Sequence, residues 1–119
     1  MFKFEKLEVW QKAVQFADMV YDITKTFPVD ERFGLTNQLR RSAVSISSNL
    51  AEGSSRSSET DFARFIEIAY GSLLESVSER QIAKGQQLLD SQMFEKAYSK
   101  AEDLAKMLSG LRRTIKESS

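Results

Sequence analysis

The chain has 119 residues, of which 41% are hydrophobic and 29% charged, so one domain over residues 1–119 can bury a core of its own. Its 17 basic and 17 acidic residues balance, and a balanced chain has no overall field that attracts a polyanion. The sequence contains no Cys and no His, which excludes disulfides, thiolate nucleophiles, metal sites built on Cys or His, and the commonest general base.

No segment approaches the roughly 18 consecutive apolar residues that a membrane span needs. The N-terminal residues mix acidic and aromatic side chains without a continuous apolar run, unlike a secretory signal peptide. We therefore expect a soluble, cytoplasmic protein with no membrane partner.

An apolar stripe that steps by three and four residues predicts a first helix over residues 5–26. Its members are Trp10, Ala13, Val14, Ala17, Val20, Tyr21 and Thr24. The helix stops before Phe27, because a residue that precedes Pro avoids the helical region. A linker over residues 28–34 follows, and we expect its apolar side chains, Val29 and Phe33, to pack on the end of the helices.

A second helix is predicted over residues 35–54, with its own core stripe. The stripe consists of Leu35, Leu39, Ala43, Ile46 and Leu50. Gly53 lies near the end of this helix, where Gly is a common terminator. The helix is unusual, because five of residues 38–53 are Ser or Asn, which favour caps and turns over helix interiors.

Ser58 followed by Asp61 is typical of a capped helix start, and the apolar residues that follow predict a third helix over residues 59–84. Asp90 caps a fourth helix over residues 91–116. Runs of β-branched residues are absent. Four amphipathic helices with short connections predict an all-α protein, an up-down-up-down antiparallel four-helix bundle.

Small and charged side chains form a second stripe on the second helix, beside its core stripe. The members are Arg41, Ser45, Ser48 and Glu52, with Asn49 beside them, and a similar stripe on the third helix consists of Ser72, Glu75, Ser76 and Glu79. Solvated surface charge is one interpretation. The small residues favour a buried or interfacial contact, since exposed helical positions usually carry better helix formers. An ion pair between Arg41 and Glu75 is sterically reasonable, and the serines would permit close approach of helices or subunits.

Four carboxylates, Glu52, Glu67, Glu75 and Glu79, form a candidate acidic set. A ferritin-like di-metal centre needs Glu-x-x-His on two helices, and the chain has no His. An all-carboxylate Mg²⁺ or Ca²⁺ site stays formally possible. Because the usual nucleophile, base and metal sets are absent, we expect no enzymatic activity, no metal, no cofactor and no small-molecule substrate.

Three cations, Arg112, Arg113 and Lys116, crowd the last turns of the fourth helix and could contact phosphates. Cations also suit the negative end of a helix dipole. The cluster is short, so we expect weak RNA or DNA binding by one chain, which a ring of copies would multiply. Three aromatic residues lie off the best apolar stripes and are candidates for a contact between subunits. They are Phe2, Phe4 and Phe65.

Several segments of the chain resemble the small bacterial four-helix-bundle proteins encoded in intervening sequences of 23S ribosomal RNA genes, the S23 ribosomal protein-like family. The segments are residues 4–13 (FEKLEVWQKA), 27–28 (FP), 33–42 (FGLTNQLRRS), 45–53 (SISSNLAEG) and 65–75 (FIEIAYGSLLE). One departure is Ser47, where relatives often carry Pro.

The resemblance implies a homopentameric ring of four-helix bundles without an established enzymatic activity, and thus a binding or scaffold module. The chain is also similar to the accessory protein of diversity-generating retroelements, a basic pentameric barrel that binds nucleic acid and a reverse transcriptase. The strong positive charge of that protein is missing here. An RNA-binding accessory role with ribosomal RNA or a reverse transcriptase is therefore the alternative.

Overall fold

The computed structural model describes the backbone of residues 1–118 and the side chains of residues 1–116. Within residues 1–118 the chain forms four α-helices and no strand, which confirms the predicted all-α class. The helices are α1 (Glu8–Thr24), α2 (Leu35–Ser54), α3 (Glu59–Gly85) and α4 (Ser91–Ser118). Short 3₁₀ turns at Lys3–Lys6 and Val29–Glu31 precede α1 and α2.

Each helix returns alongside the one before it, because the connections (residues 25–34, 55–58 and 86–90) are short. The hydrogen bonds between α2 and α3 show the opposite directions of these two helices: Ser42 meets Ser76, and Ser45 meets Ser72. The last helix, α4, packs against both α3 and α1. The four helices therefore enclose one core.

Apolar side chains from all four helices fill this core. Those with no exposed surface are Ala13, Ala43, Ile46, Leu50, Ile66, Ala69, Ala83 and Leu108. The small alanines let the helices approach closely, and the Ile and Leu side chains fill the space between them. In the described part of the chain, no helix is both long enough and apolar enough for a membrane crossing.

The first helix begins later than predicted, at Glu8 rather than at residue 5. The Glu5 carboxylate accepts a hydrogen bond of 2.8 Å from the backbone N–H of Phe2, and residues 3–6 make a 3₁₀ turn. Leu7 is extended, with φ −77° and ψ 120°. The predicted apolar stripe begins only at Trp10, and the local hydrogen bond holds residues 3–6 in a separate turn.

The prediction that Val29 and Phe33 pack on the end of the bundle is wrong, since their side chains are 80% and 86% exposed. Phe27 is the buried aromatic of this connection. The Glu31 side chain accepts a hydrogen bond of 3.2 Å from the backbone N–H of Leu35, at the start of α2. This bond fixes the linker in a turn that directs Val29 and Phe33 outward.

Two predicted helix caps are confirmed. Ser58 Oγ accepts the backbone N–H of Asp61 at 3.1 Å, and Asp90 Oδ1 accepts that of Met93 at 2.7 Å. Each satisfies a backbone donor at a helix start that has no partner within the helix. These caps set where α3 and α4 begin.

Gly53 has a packing role rather than the predicted terminator role. The helix ends at Ser54 as predicted, but no glycine in residues 1–118 has the positive φ of a glycine that terminates a helix. A Cβ at this position would lie 2.5 Å from Phe65 Cβ and 3.1 Å from Phe62 Cδ1. Only a glycine lets α2 and α3 approach this closely.

Candidate functional site

Serines in a ladder join α2 to α3. The Oγ atoms of Ser42 and Ser76 lie 2.7 Å apart, and Ser42 Oγ lies 2.8 Å from the Glu79 carboxylate. An ionised carboxylate can only accept, so Ser42 donates to Glu79 and accepts from Ser76. One polar chain therefore runs from the interior of the bundle to a side chain at its surface.

The second rung of the ladder involves Ser45 and Ser72, whose Oγ atoms are 2.9 Å apart. Asn49 Nδ2 donates to Ser45 Oγ at 2.9 Å and to the Ser45 carbonyl at 2.8 Å. Ser45 is half-buried and Ser72 is buried. Four of the five Ser and Asn residues that make α2 a poor intrinsic helix thus find hydrogen-bond partners on α3 or within α2, and the exception is Ser48.

An open groove of about 460 Å³ lies over this ladder. Its lining consists of Asn37, Gln38, Arg41, Ser42, Ser45, Ser72, Glu75 and Glu79. Burial raises the pKa of the Glu79 carboxyl, the Ser42 hydrogen bond opposes that rise, and the nearby Glu75 charge adds to it. The environment of the groove therefore disfavours the charged form of Glu79.

The predicted ion pair between Arg41 and Glu75 is not formed. Both side chains are exposed at the edge of the groove, and neither takes part in an ion pair or side-chain hydrogen bond among residues 1–116. In solvent such a pair gains little and costs side-chain freedom. The folded chain thus leaves a cation and a carboxylate unpaired at the edge of one groove.

The other members of the predicted stripe and acidic set lie elsewhere. Ser48 is exposed on the outer side of α2, and Glu52 pairs with Arg56 at 2.9 Å, one turn along the chain. Glu67 pairs with Arg112 of α4. No group of three carboxylates in the described residues could hold a metal ion.

Sequence reasoning missed an apolar and small-residue component on the outer side of α3. Ile68 and Ile82 are 46% and 53% exposed, and Gly71 has no atom within 4 Å of the place where its Cβ would be. Helical spacing puts these three residues on the same side of α3 as Glu75. The sequence did contain a signal for this: Ile68 lies seven residues before Glu75, Gly71 four before it and Ile82 seven after it, which are spacings of one helix side.

We call these residues and the groove together the outer α2–α3 face. Its residues are Arg41, Ser45, Ser48, Ile68, Gly71, Ser72, Glu75, Glu79 and Ile82. It combines exposed apolar side chains, small residues and unpaired charges on two adjacent helices. This combination is typical of a surface that contacts another protein.

The three C-terminal cations lie beside a carboxylate. Glu67 accepts from Arg112 Nε at 2.7 Å and lies 3.7 Å from Lys116 Nζ. Its hydrogen bond and charge interaction with Arg112 lower the pKa of Glu67. Arg113 is exposed, and all three cations border a pocket of about 520 Å³ together with Tyr70 and Glu67. One carboxylate therefore offsets part of the positive charge of this cluster.

The three off-stripe aromatics have different surroundings. Phe2 is 73% exposed and stacks on Phe4, whose ring meets the edge of Trp10 at 4.9 Å between centroids. Phe65 is half-buried over Gly53, and the Arg56 guanidinium lies 4.8 Å from its ring centre. Phe65 thus has a packing role within the chain, and Phe2 is the most exposed of the three.

Arg80 was not identified from the sequence, yet it is only 7% exposed. Its guanidinium lies 3.6 Å from the ring centre of Phe94 and 4.6 Å from that of Tyr98, and it donates to the Phe94 carbonyl at 3.2 Å. Burial lowers the pKa of this group, and the charge of Glu95 acts in the opposite direction. Its position seven residues after the core residue Leu73 was the available signal.

Comparison with known proteins places this geometry in a family. The sequence model of the 23S rRNA-intervening sequence proteins matches residues 5–110. No curated protein matches the chain significantly in sequence. Among solved structures, a protein of unknown function from the S23 ribosomal protein family of Bacteroides thetaiotaomicron VPI-5482 has the same fold. Its TM-score is 0.82 at 21% identity, over 88% of this chain and 95% of that one. The chain therefore belongs to the family of 23S rRNA-intervening sequence proteins.

Proposed function

We propose that the chain is a non-enzymatic binding or scaffold module that assembles with copies of itself, and that the outer α2–α3 face is one of the two surfaces that meet between neighbouring copies. The observation that carries the proposal is the unexplained Gly71 among exposed apolar side chains. A closed ring of five copies, which the family resemblance implies, is the assembly we propose.

Gly71 lies in the interior of a 27-residue helix, where Gly is about 1 kcal/mol less favourable than Ala. No contact with the described side chains of residues 1–116 requires it, since the space around the missing Cβ is open. A glycine on an outer surface does permit close approach of a second backbone. Its neighbours Ile68 and Ile82 would lose exposed apolar surface in the same contact.

The unpaired charges of the outer α2–α3 face fit the same proposal. Arg41 lies on α2, whereas Glu75 and Glu79 lie on α3, and all three border one groove. In a ring, one surface of a copy meets a different surface of the next copy, and that second surface would bring charges opposite in sign to Arg41 and to the two carboxylates. Charge complementarity of this kind sets register and specificity more than affinity.

The test compares Gly71→Ala with the matched control Gly110→Ala. Both glycines lie inside helices with no atom within 4 Å of an added Cβ, so both substitutions stabilise the isolated chain by up to about 1 kcal/mol. We expect only Gly71→Ala to shift the mass measured by light scattering toward the monomer on dilution. Equal assembly of both variants and the parent protein would contradict the proposed contact.

The absence of catalysis is part of the proposal and has chemical support. The chain has no Cys or His. Its four candidate carboxylates do not form one cluster: Glu52 pairs with Arg56, Glu67 pairs with Arg112, and the other two line the groove. We accordingly propose no metal, no cofactor and no small-molecule substrate.

A second candidate function is RNA or DNA binding through Arg112, Arg113 and Lys116. Its support is their convergence on one pocket, together with the exposed position of Arg113. A ring would repeat the cluster and raise its avidity. In this alternative, the chain would act as an RNA-binding accessory protein together with ribosomal RNA or a reverse transcriptase.

Glu67→Gln tests this second function, because it removes the carboxylate that Arg112 and Lys116 share. If these cations contact phosphates, the substitution should raise the affinity for an RNA hairpin. The affinity should also decrease steeply as the salt concentration increases. Glu102→Gln, an equal charge change at another exposed site of α4, is the control. Equal effects of the two variants, or no binding at low salt, would exclude a role for the cluster.

A further inference from the structure

In a ring that uses the outer α2–α3 face, as proposed above, another side of the bundle must be the surface that meets this face. Helix α1 packs against α2 and α4, and α3 packs against the same two helices. The three other sides are therefore α1–α2, α3–α4 and α1–α4. A matching side carries charges opposite in sign to those of the outer α2–α3 face, and these charges are not already bound within the chain.

Cations on two of these sides are held within the chain. On the α3–α4 side, the Glu67 carboxylate binds Arg112 and lies 3.7 Å from Lys116 Nζ. Arg113 remains on this side, and one cation does not match two carboxylates. On the α1–α2 side, the Nε atom of Arg40 donates a hydrogen bond of 2.8 Å to a hydroxyl group of α1.

The α1–α4 side carries a groove of about 250 Å³ with the inverse set of charges. Its lining consists of Lys12, Gln15, Phe16, Met19, Lys100, Asp103, Leu104 and Met107. Lys12, Lys100 and Asp103 are exposed, and none of them takes part in an ion pair or side-chain hydrogen bond among residues 1–116. The groove of the outer α2–α3 face has two carboxylates and one cation. Each charge of one groove therefore has a counterpart of opposite sign in the other.

Methionines supply apolar surface along the α1–α4 side. Met19 and Met107 are half-buried in this groove, and Met93 borders a second groove of about 400 Å³ along the same two helices. The charged residues of the second groove are Asp18, Asp22 and Lys96. Methionine side chains adapt to the shape of a partner. They can therefore receive Ile68 and Ile82, which are 46% and 53% exposed on the outer α2–α3 face.

The two inversely charged grooves lie at the same level of the bundle. Glu67 of α3 binds Arg112 of α4 at one level, and Arg80 of α3 donates to the Phe94 carbonyl of α4 at another. The α3 part of the outer groove, within residues 72–79, lies between these levels. So does the α4 part of the α1–α4 groove, within residues 100–107. The grooves share no helix, so one copy can use both at once.

We propose that the α1–α4 groove of one copy receives the outer α2–α3 face of the next copy. Lys12 and Lys100 lie against the two carboxylates of the neighbouring face, and Asp103 lies against its arginine. A contact between two different surfaces can repeat from copy to copy, as a ring requires. This inference rests on the proposed assembly and adds the surface that completes it.

Cysteine pairs test which surfaces meet, because the chain has no Cys of its own. Ser48→Cys marks the outer α2–α3 face, Gln15→Cys marks the α1–α4 groove, and Ser109→Cys marks the α3–α4 pocket. All three positions are exposed. After treatment with a short bismaleimide, Ser48→Cys/Gln15→Cys should give a ladder of covalent multiples of the chain on a denaturing gel. Each single variant and the control Ser48→Cys/Ser109→Cys should stay monomeric on the gel.

The outcomes separate this inference from the assembly itself. A ladder in the control instead, or a covalent dimer of Ser48→Cys alone, would overturn the proposed surface. Light scattering gives the mass of the same samples before cross-linking. An assembled mass without the expected ladder overturns this inference alone, whereas a monomer mass contradicts the proposed assembly as well.

Charge reversal supplies a second measurement of the same contact. Lys100→Glu puts a carboxylate against those of Glu75 and Glu79, and should raise the concentration at which the assembly dissociates by about tenfold or more. Glu75→Lys should do the same, and the double variant should assemble better than either single variant. The control is Lys106→Glu, an equal change at an exposed site of α4 outside the groove. Equal effects of Lys100→Glu and Lys106→Glu would refute the charge match.

Discussion

Gly53→Ala is expected to destabilise the fold, although alanine is the better helix former. The new Cβ would lie 2.5 Å from Phe65 Cβ, and an ordinary carbon contact is about 3.5–4.0 Å. Because Phe65 Cβ is fixed to the α3 backbone, no rotamer change relieves the overlap, and the helices must separate by about 1 Å.

The magnitude follows from three contributions. Overpacking costs about 1–3 kcal/mol. Separation also stretches the 2.9 Å contact between Ser45 and Ser72, at about 1 kcal/mol per hydrogen bond. The gain in helix propensity is about 1 kcal/mol. We therefore expect a net loss of about 2 kcal/mol and a Tm lower by about 8 °C.

Urea unfolding followed by circular dichroism at 222 nm measures this loss, with all proteins at one concentration because assembly stabilises the folded state. The control is Gly110→Ala, where an added methyl meets nothing and should raise the free energy of unfolding by about 0.5–1 kcal/mol. A midpoint of Gly53→Ala at or above that of the parent protein, with an unchanged slope, would refute the close-approach argument.

Further predictions concern single positions. Gln87 has φ 63°, so Gln87→Gly should raise the free energy of unfolding by about 0.5–1 kcal/mol in urea titrations. Ser58→Ala removes the cap of α3 and should cost about 1 kcal/mol in the same assay. The pKa of Glu79 is raised in the folded state, so its protonated form favours folding. This stabilisation is fully present below the ordinary carboxyl pKa of 4.5 and is lost as the pH rises through the folded-state pKa. Glu79→Gln should thus be more stable than the parent protein at pH 7 and show no such loss between pH 4 and pH 7. Phe33→Ser should change monomer stability by less than about 0.5 kcal/mol, because its side chain is 86% exposed.

The four helices could be predicted because each carries its own apolar period. The caps Ser58 and Asp90 could also be predicted, since a cap and its backbone partner lie within three residues. The linker could not, because a seven-residue segment has too few apolar side chains to show a period. Its outward direction depends on the bond from Leu35 to the Glu31 side chain.

Features that need two helices escaped prediction. Gly53 suits a terminator in sequence, and its actual role depends on Phe65 of another helix. Arg80 is a charge on a core stripe, and its burial depends on the aromatic faces of Phe94 and Tyr98 in α4. The sequence pattern of one helix does not indicate which residues of another helix contact it.

The stripe on α2 was predicted as a buried or interfacial contact, and its residues fall into two groups in the structure. Ser45 and Asn49 belong to the hydrogen bonds that join or brace α2 and α3, whereas Arg41 and Ser48 point outward. Both helical stripes were visible in the sequence. The direction of the long Arg41 side chain was not, because an exposed arginine has many rotamers of similar energy.

The central claim is that copies of this chain assemble, and the mass of the unmodified protein in solution tests it most directly. Light scattering across a dilution series into the micromolar range should give five times the chain mass of 13.5 kDa. A mass of 13.5 kDa at every concentration would contradict the assembly.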